Sequence, residues 1–267
     1  VMASHENACT DAMIFDEGVS GRGYPLRKTG FYVREPIFGE VVREALRLGF
    51  KIVAYETSDT SYNSIGEREQ RLAQNLACVF KNNPDARVLT IAGFGHIAES
   101  SSTGAADGMM AARFKRITNI DPLTINTTAL LGSPESAFQF IDKDGVNSSS
   151  QGYLLYDEGG RLYGSEDYDL IMVFPGSLGR GSIGPSWLDL GGARMSTSVD
   201  ISKCRRIFPC LVEAFSSEEK SDIPADSCVA FNEKSPCPLF LPKGKFTINF
   251  SSQFLRQLNS VQTTVGG

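Results

Sequence analysis

The sequence lacks several signals that would assign it to a common class. Its 267 residues contain no apolar run near the roughly 20 residues that a membrane helix needs, so no transmembrane segment is expected. A net charge of -5 argues against nucleic acid as the main partner. The absence of a Gly-x-Ser-x-Gly motif disfavours a serine-hydrolase triad, and the absence of a Cys-x-x-Cys pair disfavours a zinc ribbon.

Cysteine is scarce but unevenly placed. Of the six cysteines, Cys204, Cys210, Cys228 and Cys237 lie in the last quarter of the chain. Two interpretations stay open: disulfides, which are typical of exported proteins, and reduced buried thiols. We predict at least one disulfide among the four, and export to the periplasm or extracellular space, with a cytoplasmic location left open. The chain shows no export signal, and its abrupt start leads us to expect an upstream segment.

Patterns typical of strands and helices alternate over residues 1–130. Strands are predicted near 1–6, 50–56, 88–92 and 122–126, and helices near 36–48, 67–81 and 109–117. Such alternation indicates parallel strands joined by right-handed crossovers.

Helical periodicity fades in residues 131–267, where turn signals separate short β-type runs. Strands are predicted at 152–156, 169–174, 194–201, 210–215, 228–231 and 245–250. The predicted fold is therefore α/β: a parallel-type sheet with flanking helices over 1–130, followed by a mainly antiparallel β domain over 131–267.

The segment from Val88 to His96 carries the clearest functional signal. An apolar run, Val88 to Ala92, predicts a buried strand, and Gly93 and Gly95 allow a sharp turn because neither has a Cβ. His96, one of two histidines, then lies at the carboxyl end of the strand, where ligands bind in open α/β sheets. The alternative is a turn histidine bonded to nearby backbone.

Two carboxylates end predicted strands in the same way. Glu6 and Glu56 should meet His96 at one edge of the sheet, a set suited to general acid–base catalysis or to holding a divalent metal ion. Arg68, on the following helix, would orient a carboxylate or bind an anionic group of the substrate. The alternatives are that each carboxylate caps a loop or helix, and that Arg68 forms a surface ion pair with Glu67 or Glu69.

Four segments in this order suggest a family: Thr29–Pro36, Val53–Glu56, Arg68–Leu76 and Ala92–His96. Together they resemble the superfamily of erythromycin esterase-like, TraB-like, Tiki-like and ChaN-like proteins. Gly93-Phe-Gly-His96 is similar to its Gly-x-x-His motif, and Arg68-Glu-Gln-Arg-Leu-Ala-Gln-Asn75 to its arginine-bearing helix. The family's N-terminal histidine motif has no counterpart in the chain.

The resemblance implies an α/β fold with a site built from histidines and carboxylates. Its members include esterases, metal-dependent proteases and haem-binding lipoproteins. We therefore predict a hydrolase of small molecules or peptides with His96, Glu6, Glu56 and Arg68 as catalytic residues, and with His96, Glu6 and Glu56 as ligands if a metal ion takes part. The alternatives are a haem- or metal-binding module of the ChaN type, with His96 as axial ligand, and a non-catalytic interaction protein.

Overall fold

The computed structural model describes residues 16, 18–56, 62–100, 107–128, 152–173, 186–252 and 257–266. These residues belong to two compact units. The first unit comprises 53–56, 62–100, 107–128 and 152–173. The second comprises 16, 18–52, 186–252 and 257–266. Both units combine segments from before and after residue 130.

The described residues form a mixed α/β structure. The helices are α1 (Val19–Arg22), α2 (Pro36–Arg47), α3 (Ile65–Asn82) and α4 (Met110–Thr118). The strands are β1 (Ile125–Asn126), β2 (Tyr153–Leu154), β3 (Leu170–Val173), β4 (Met195–Thr197), β5 (Cys210–Ser216), β6 (Asp226–Ala230), β7 (Leu239–Leu241), β8 (Gly244–Ser252) and β9 (Gln257–Val265). None of the helices within these ranges is long and apolar enough to cross a membrane.

Helices α2, α3 and α4 confirm the three helices predicted from periodicity. Pro36 begins α2, where its missing N–H costs nothing, and Gly49 follows its end with a φ of 82°. Ser64 caps α3 by accepting a 3.1 Å hydrogen bond from the Glu67 N–H. The ends of these helices are therefore set by capping residues as well as by the burial of their apolar side chains.

The core of the first unit lies between α3 and α4. Its buried members are Leu72, Ala73, Leu76, Met110 and Phe114. The residues of α3 in this set recur at intervals of three and four, which places them on one face of the helix. Nearby, β3 pairs with β1 in parallel and with β2 in antiparallel, forming a small mixed sheet.

The predicted parallel sheet over residues 1–130 differs from the observed structure. The predicted strands at 50–56 and 88–92 are not regular strands, and the predicted strand at 1–6 lies outside the described residues. Leu89 and Ile91 are largely exposed. An apolar pattern indicates which side chains favour burial, but a segment becomes a strand only when a neighbouring strand pairs with its backbone. Among the described strands, β1–β3 is the parallel pair, so the parallel-type sheet is present only in this minor form.

The second unit contains the antiparallel β region. β6, β5, β8 and β9 form a four-stranded sheet in that order, and β4 pairs with β7. One face of β8 is buried through alternate residues: Phe246, Ile248 and Phe250. Strands β2 to β6 and β8 match the predicted runs, whereas β7 and β9 were not predicted.

Two disulfides confirm the prediction for the C-terminal cysteines. Cys204 is bonded to Cys210 with a Cα–Cα distance of 6.0 Å. Cys228 is bonded to Cys237 with a Cα–Cα distance of 5.5 Å. Such bonds persist in oxidising compartments and are consistent with export, which stays a prediction.

Helix α2 leaves two of its larger apolar side chains exposed. Phe38 and Val41 are exposed, whereas Gly39 is buried. A Cβ added to Gly39 would lie 3.1 Å from Ile223 Cγ2, so the helix backbone lies close to the segment that leads into β6. A side chain at this position would press against Ile223, so glycine suits the close approach of α2 to this segment.

Candidate functional site

His96 lies on a short 3₁₀ helix, Phe94–Ile97, that follows the 88–92 segment. The His96 N–H bonds to the Gly93 carbonyl at 2.9 Å, which closes this turn. Gly93 has a φ of -63°, so the turn does not depend on a conformation reserved for glycine. Ile97 packs against the core formed by α3 and α4, and the histidine is thereby held beside both helices.

The partner of His96 is Glu69 on α3. His96 Nδ1 lies 2.9 Å from Glu69 Oε2 and 2.8 Å from Oε1. The carboxylate is fully buried, while the histidine side chain keeps 22% of its surface exposed. An ionised carboxylate only accepts hydrogen bonds, so Nδ1 carries the proton in the tautomer that bonds to ionised Glu69. The lone pair of Nε2 is then available on the opposite side of the ring.

Glu69 is itself held by α4. Its Oε2 accepts a 3.0 Å hydrogen bond from the N–H of Met110, the first residue of that helix. The amino end of a helix favours negative charge, because its first N–H groups lack partners within the helix. The carboxylate therefore joins three elements: α3, the 3₁₀ helix of His96 and the start of α4.

Glu69 was missed as a site residue and was considered only as a surface partner of Arg68. The signal was present in the spacing. Glu69 precedes Leu72 by three residues, Ala73 by four and Leu76 by seven, so it lies on the buried face of α3. A carboxylate at a core position is rarely buried without a partner. That rule would have led to a search for its partner, which is His96.

Arg68 and Glu56 are brought together as a second pair. Arg68 Nε lies 3.4 Å from Glu56 Oε1, and Arg68 Nη2 bonds to Oε2 in the same carboxylate. The hydrogen bonds to Glu56 raise the pKa of Arg68, so the guanidinium stays charged. Glu69 adds a smaller electrostatic contribution of the same sign. Arg68 and Glu69, which are adjacent on α3, thus bind Glu56 and His96, respectively.

Helix α3 also positions the segment that carries Glu56. Buried Asn75 donates a 2.8 Å hydrogen bond to the Tyr55 carbonyl. The Tyr55 hydroxyl donates a 2.9 Å hydrogen bond to the Ile91 carbonyl. The 53–56 and 88–92 segments are therefore linked through side chains, and Asn75 of the predicted arginine-bearing helix has a positioning role.

The segment after His96 is anchored by a polar cluster around Glu99. Thr124 Oγ1 donates a 2.7 Å hydrogen bond to Glu99 Oε1, and Lys115 Nζ lies 3.4 Å from Oε2. Burial raises the pKa of Glu99, and the nearby Asp169 carboxylate acts in the same direction. On the N-terminal side of His96, the Tyr168 hydroxyl donates a 3.2 Å hydrogen bond to the Phe94 carbonyl. These contacts hold the chain before and after His96.

Of the predicted site residues, the structure brings Arg68 and Glu56 into contact. The described residues include His96, Glu56 and Arg68, while Glu6 lies outside them. Within the described ranges, no group of three or more His, Cys, Asp or Glu side chains is arranged to hold a metal ion. The proposed metal set of His96, Glu6 and Glu56 stays a prediction. Comparison with known proteins found no matching family model, curated protein or solved structure.

Proposed function

We propose that the chain is a hydrolase of the erythromycin esterase-like or Tiki-like type, acting on an ester or peptide bond. The observation that carries this proposal is the hydrogen bond between His96 Nδ1 and the buried carboxylate of Glu69. A carboxylate that fixes the tautomer and orientation of an imidazole makes Nε2 a general base.

In this mechanism, His96 takes a proton from an attacking water molecule and Glu69 stabilises the imidazolium that forms. Glu69 does not need to move a proton itself, because its role is to orient the ring and to balance the charge. Arg68 lies on the same helix as Glu69 and pairs with Glu56, so the guanidinium can orient that carboxylate or meet an anionic part of the substrate.

The alternative is a haem- or metal-binding module of the ChaN type. The same geometry supports it, because metal-bound histidines usually donate their second ring N–H to a carboxylate. Haem addition followed by a Soret spectrum distinguishes the two: a bound spectrum that disappears on replacing His96 would favour the binding module. A third possibility, a non-catalytic interaction protein, predicts neither hydrolysis nor a spectrum.

The hydrolase proposal is tested by replacing His96 with asparagine. The amide can still donate a hydrogen bond to Glu69 but cannot act as a base, so we expect hydrolysis of p-nitrophenyl esters or of a fluorogenic peptide to fall by roughly 10²–10⁴-fold. The melting temperature should change little.

Arg161→Ala supplies the matched control, because this side chain is 85% exposed in the same unit and pairs with Asp157, four residues away. Its hydrolysis rate should equal that of the wild type. Full activity in the His96→Asn variant would refute the proposal, as would the absence of hydrolysis in the wild type across the substrate panel.

A further inference from the structure

The four-stranded sheet of the second unit has two edge strands, β6 and β9. An edge strand carries a row of backbone N–H and C=O groups without partners in the sheet, so it can pair with a further strand. Folded proteins usually block such a row with a charge, a proline, a short strand or a covering segment. The two edges of this sheet differ in how far they are blocked.

β6 is the blocked edge. It has five residues, and the Oδ1 of its first residue, Asp226, accepts a 2.9 Å hydrogen bond from the Ser227 N–H. Just beyond the strand, the Phe231 N–H donates a 3.2 Å hydrogen bond to Ser235 Oγ. The disulfide at Cys228 ties the strand to the segment that leads to β7. A further strand would therefore meet a short edge whose N–H groups are partly held by side chains.

β9 is the open edge. It has nine residues, with neither a charged residue nor a proline among them. The register of its pairing with β8 shifts at Phe250 and Ser251, opposite the first residues of β9, and is regular from there to Val265. Alternate residues along this regular part are exposed: Ser260, Gln262 and Thr264. Most of β9 therefore lacks the features that usually keep an edge from pairing.

The pairing within the sheet decides which backbone groups of β9 point outward. In an antiparallel ladder, alternate residues direct both backbone groups to the same neighbouring strand. The Lys245 carbonyl of β8 accepts a 2.8 Å hydrogen bond from the Ser217 N–H, on the β5 side. Odd-numbered residues of β8 therefore face β5, and even-numbered ones face β9, where Ile248 lies opposite Val261. It follows that the even-numbered residues of β9 turn their N–H and C=O groups away from the sheet.

These outward backbone groups are open at the centre of β9. Within the described part of the chain, the backbone groups of Gln262 and Thr264 make no hydrogen bond outside the ladder with β8. The Ser260 N–H is bonded at 2.9 Å to the side chain of its neighbour Asn259, as expected for a group that points away from β8. The Gln262 side chain lies along the sheet instead, where its Nε2 donates a 2.7 Å hydrogen bond to Thr247 Oγ1. It therefore leaves its own backbone uncovered.

We propose that β9 pairs in antiparallel with β9 of a second copy of this chain, which joins two four-stranded sheets into one. With a two-fold axis at Gln262, Ser260 faces Thr264 of the second copy, and about six backbone hydrogen bonds form. Because β9 carries no charge, no like charges meet across the axis, and a charged partner strand would find no opposite charge to select it. Since β6 is blocked, the assembly closes at two copies.

The test is analytical ultracentrifugation of the full chain over roughly 1–200 µM, in which the mass should rise from one chain to two. Gln262→Pro removes an outward N–H that β8 does not use, so the fold should tolerate it. Gln262→Lys places two like charges across the axis. Both variants should weaken association by at least about tenfold. Val229→Lys is the matched control, because Val229 is 41% exposed on the opposite edge strand, β6, and this variant should associate like the wild type.

Oxidative cross-linking gives a second reading, independent of the proline variant. Gln262→Cys should form a covalent dimer, because pairing about the axis brings the two Cα atoms to about 5.5 Å, within disulfide range. Val229→Cys should not. Melting temperatures at the lowest protein concentration should match the wild type if the fold is kept. The proposal is overturned if the wild type stays a single chain over the whole range, if Gln262→Lys associates like the wild type, if the assembly grows beyond two copies, or if Gln262→Cys cross-links no better than Val229→Cys.

Discussion

Replacing Glu69 by leucine is expected to reduce hydrolysis by up to roughly 10⁴-fold and to lower the free energy of unfolding by about 2–6 kcal/mol. Leucine has a similar volume and no acceptor, so the His96 Nδ1–H and the Met110 N–H both lose their partner. Each orphaned buried donor costs about 1–3 kcal/mol, and the two together give the stability range. The catalytic loss follows because the imidazole is no longer held in one tautomer.

Glu69→Gln separates positioning from stability. The amide oxygen can still accept from Met110, so we expect part of the stability to return. The amide nitrogen donates, however, and would face a ring nitrogen that should itself carry a proton, so activity should stay low. A positioning role predicts a fall in kcat with little change in KM.

Glu67→Gln is the control, because Glu67 precedes Glu69 by two residues and lies partly exposed in a pair with Arg71. This variant should hydrolyse substrate at the wild-type rate. If Glu69→Leu keeps full activity, or if Glu67→Gln loses as much activity as Glu69→Leu, then Glu69 has no special role in orienting His96.

Replacing Phe250 by alanine should destabilise the second unit by about 3–5 kcal/mol. Phe250 is 1% exposed on β8, where it lies in the core beneath the four-stranded sheet. Its removal leaves a cavity that neighbouring strands cannot fill, because their positions are fixed by hydrogen bonding on both sides of β8.

Phe231 provides the comparison, since this residue is 70% exposed just after β6. Phe231→Ala should change the free energy of unfolding by no more than about 0.5 kcal/mol. Urea unfolding with linear extrapolation measures both values. Equal effects of the two substitutions would mean that the inward face of β8 is not the core of this unit.

Sequence patterns predicted the helices well because their signals are local. Pro36 and Ser64 are capping signals within the chain, and the apolar spacing of α3 needs no knowledge of distant residues. The same holds for β8, where alternation of buried and polar residues is regular. By contrast, β9 runs from Gln257 to Val265 with mainly polar residues, and it forms because β8 offers hydrogen bonds along its length.

The site could be predicted only in part for the same reason. The turn after residue 92 indicated His96, and the strand-like end at Glu56 indicated a carboxylate near Arg68. Which carboxylate meets the imidazole depends on how α3 is rotated against the 3₁₀ helix, and that rotation follows from packing with α4. Local signals carry no such information, so the contact between Glu69 and His96 was not predicted, although the spacing of α3 places Glu69 on its buried face.

The orientation of His96 by Glu69 is tested most directly by ¹⁵N NMR of the imidazole. The chain has two histidines, and the His96→Asn variant identifies the signals of His96 by their loss. At a pH where the ring is neutral, we predict that Nδ1 carries the proton in the wild type and that this preference disappears in Glu69→Leu. A wild-type ring protonated at Nε2, or a spectrum unchanged by Glu69→Leu, would contradict the account.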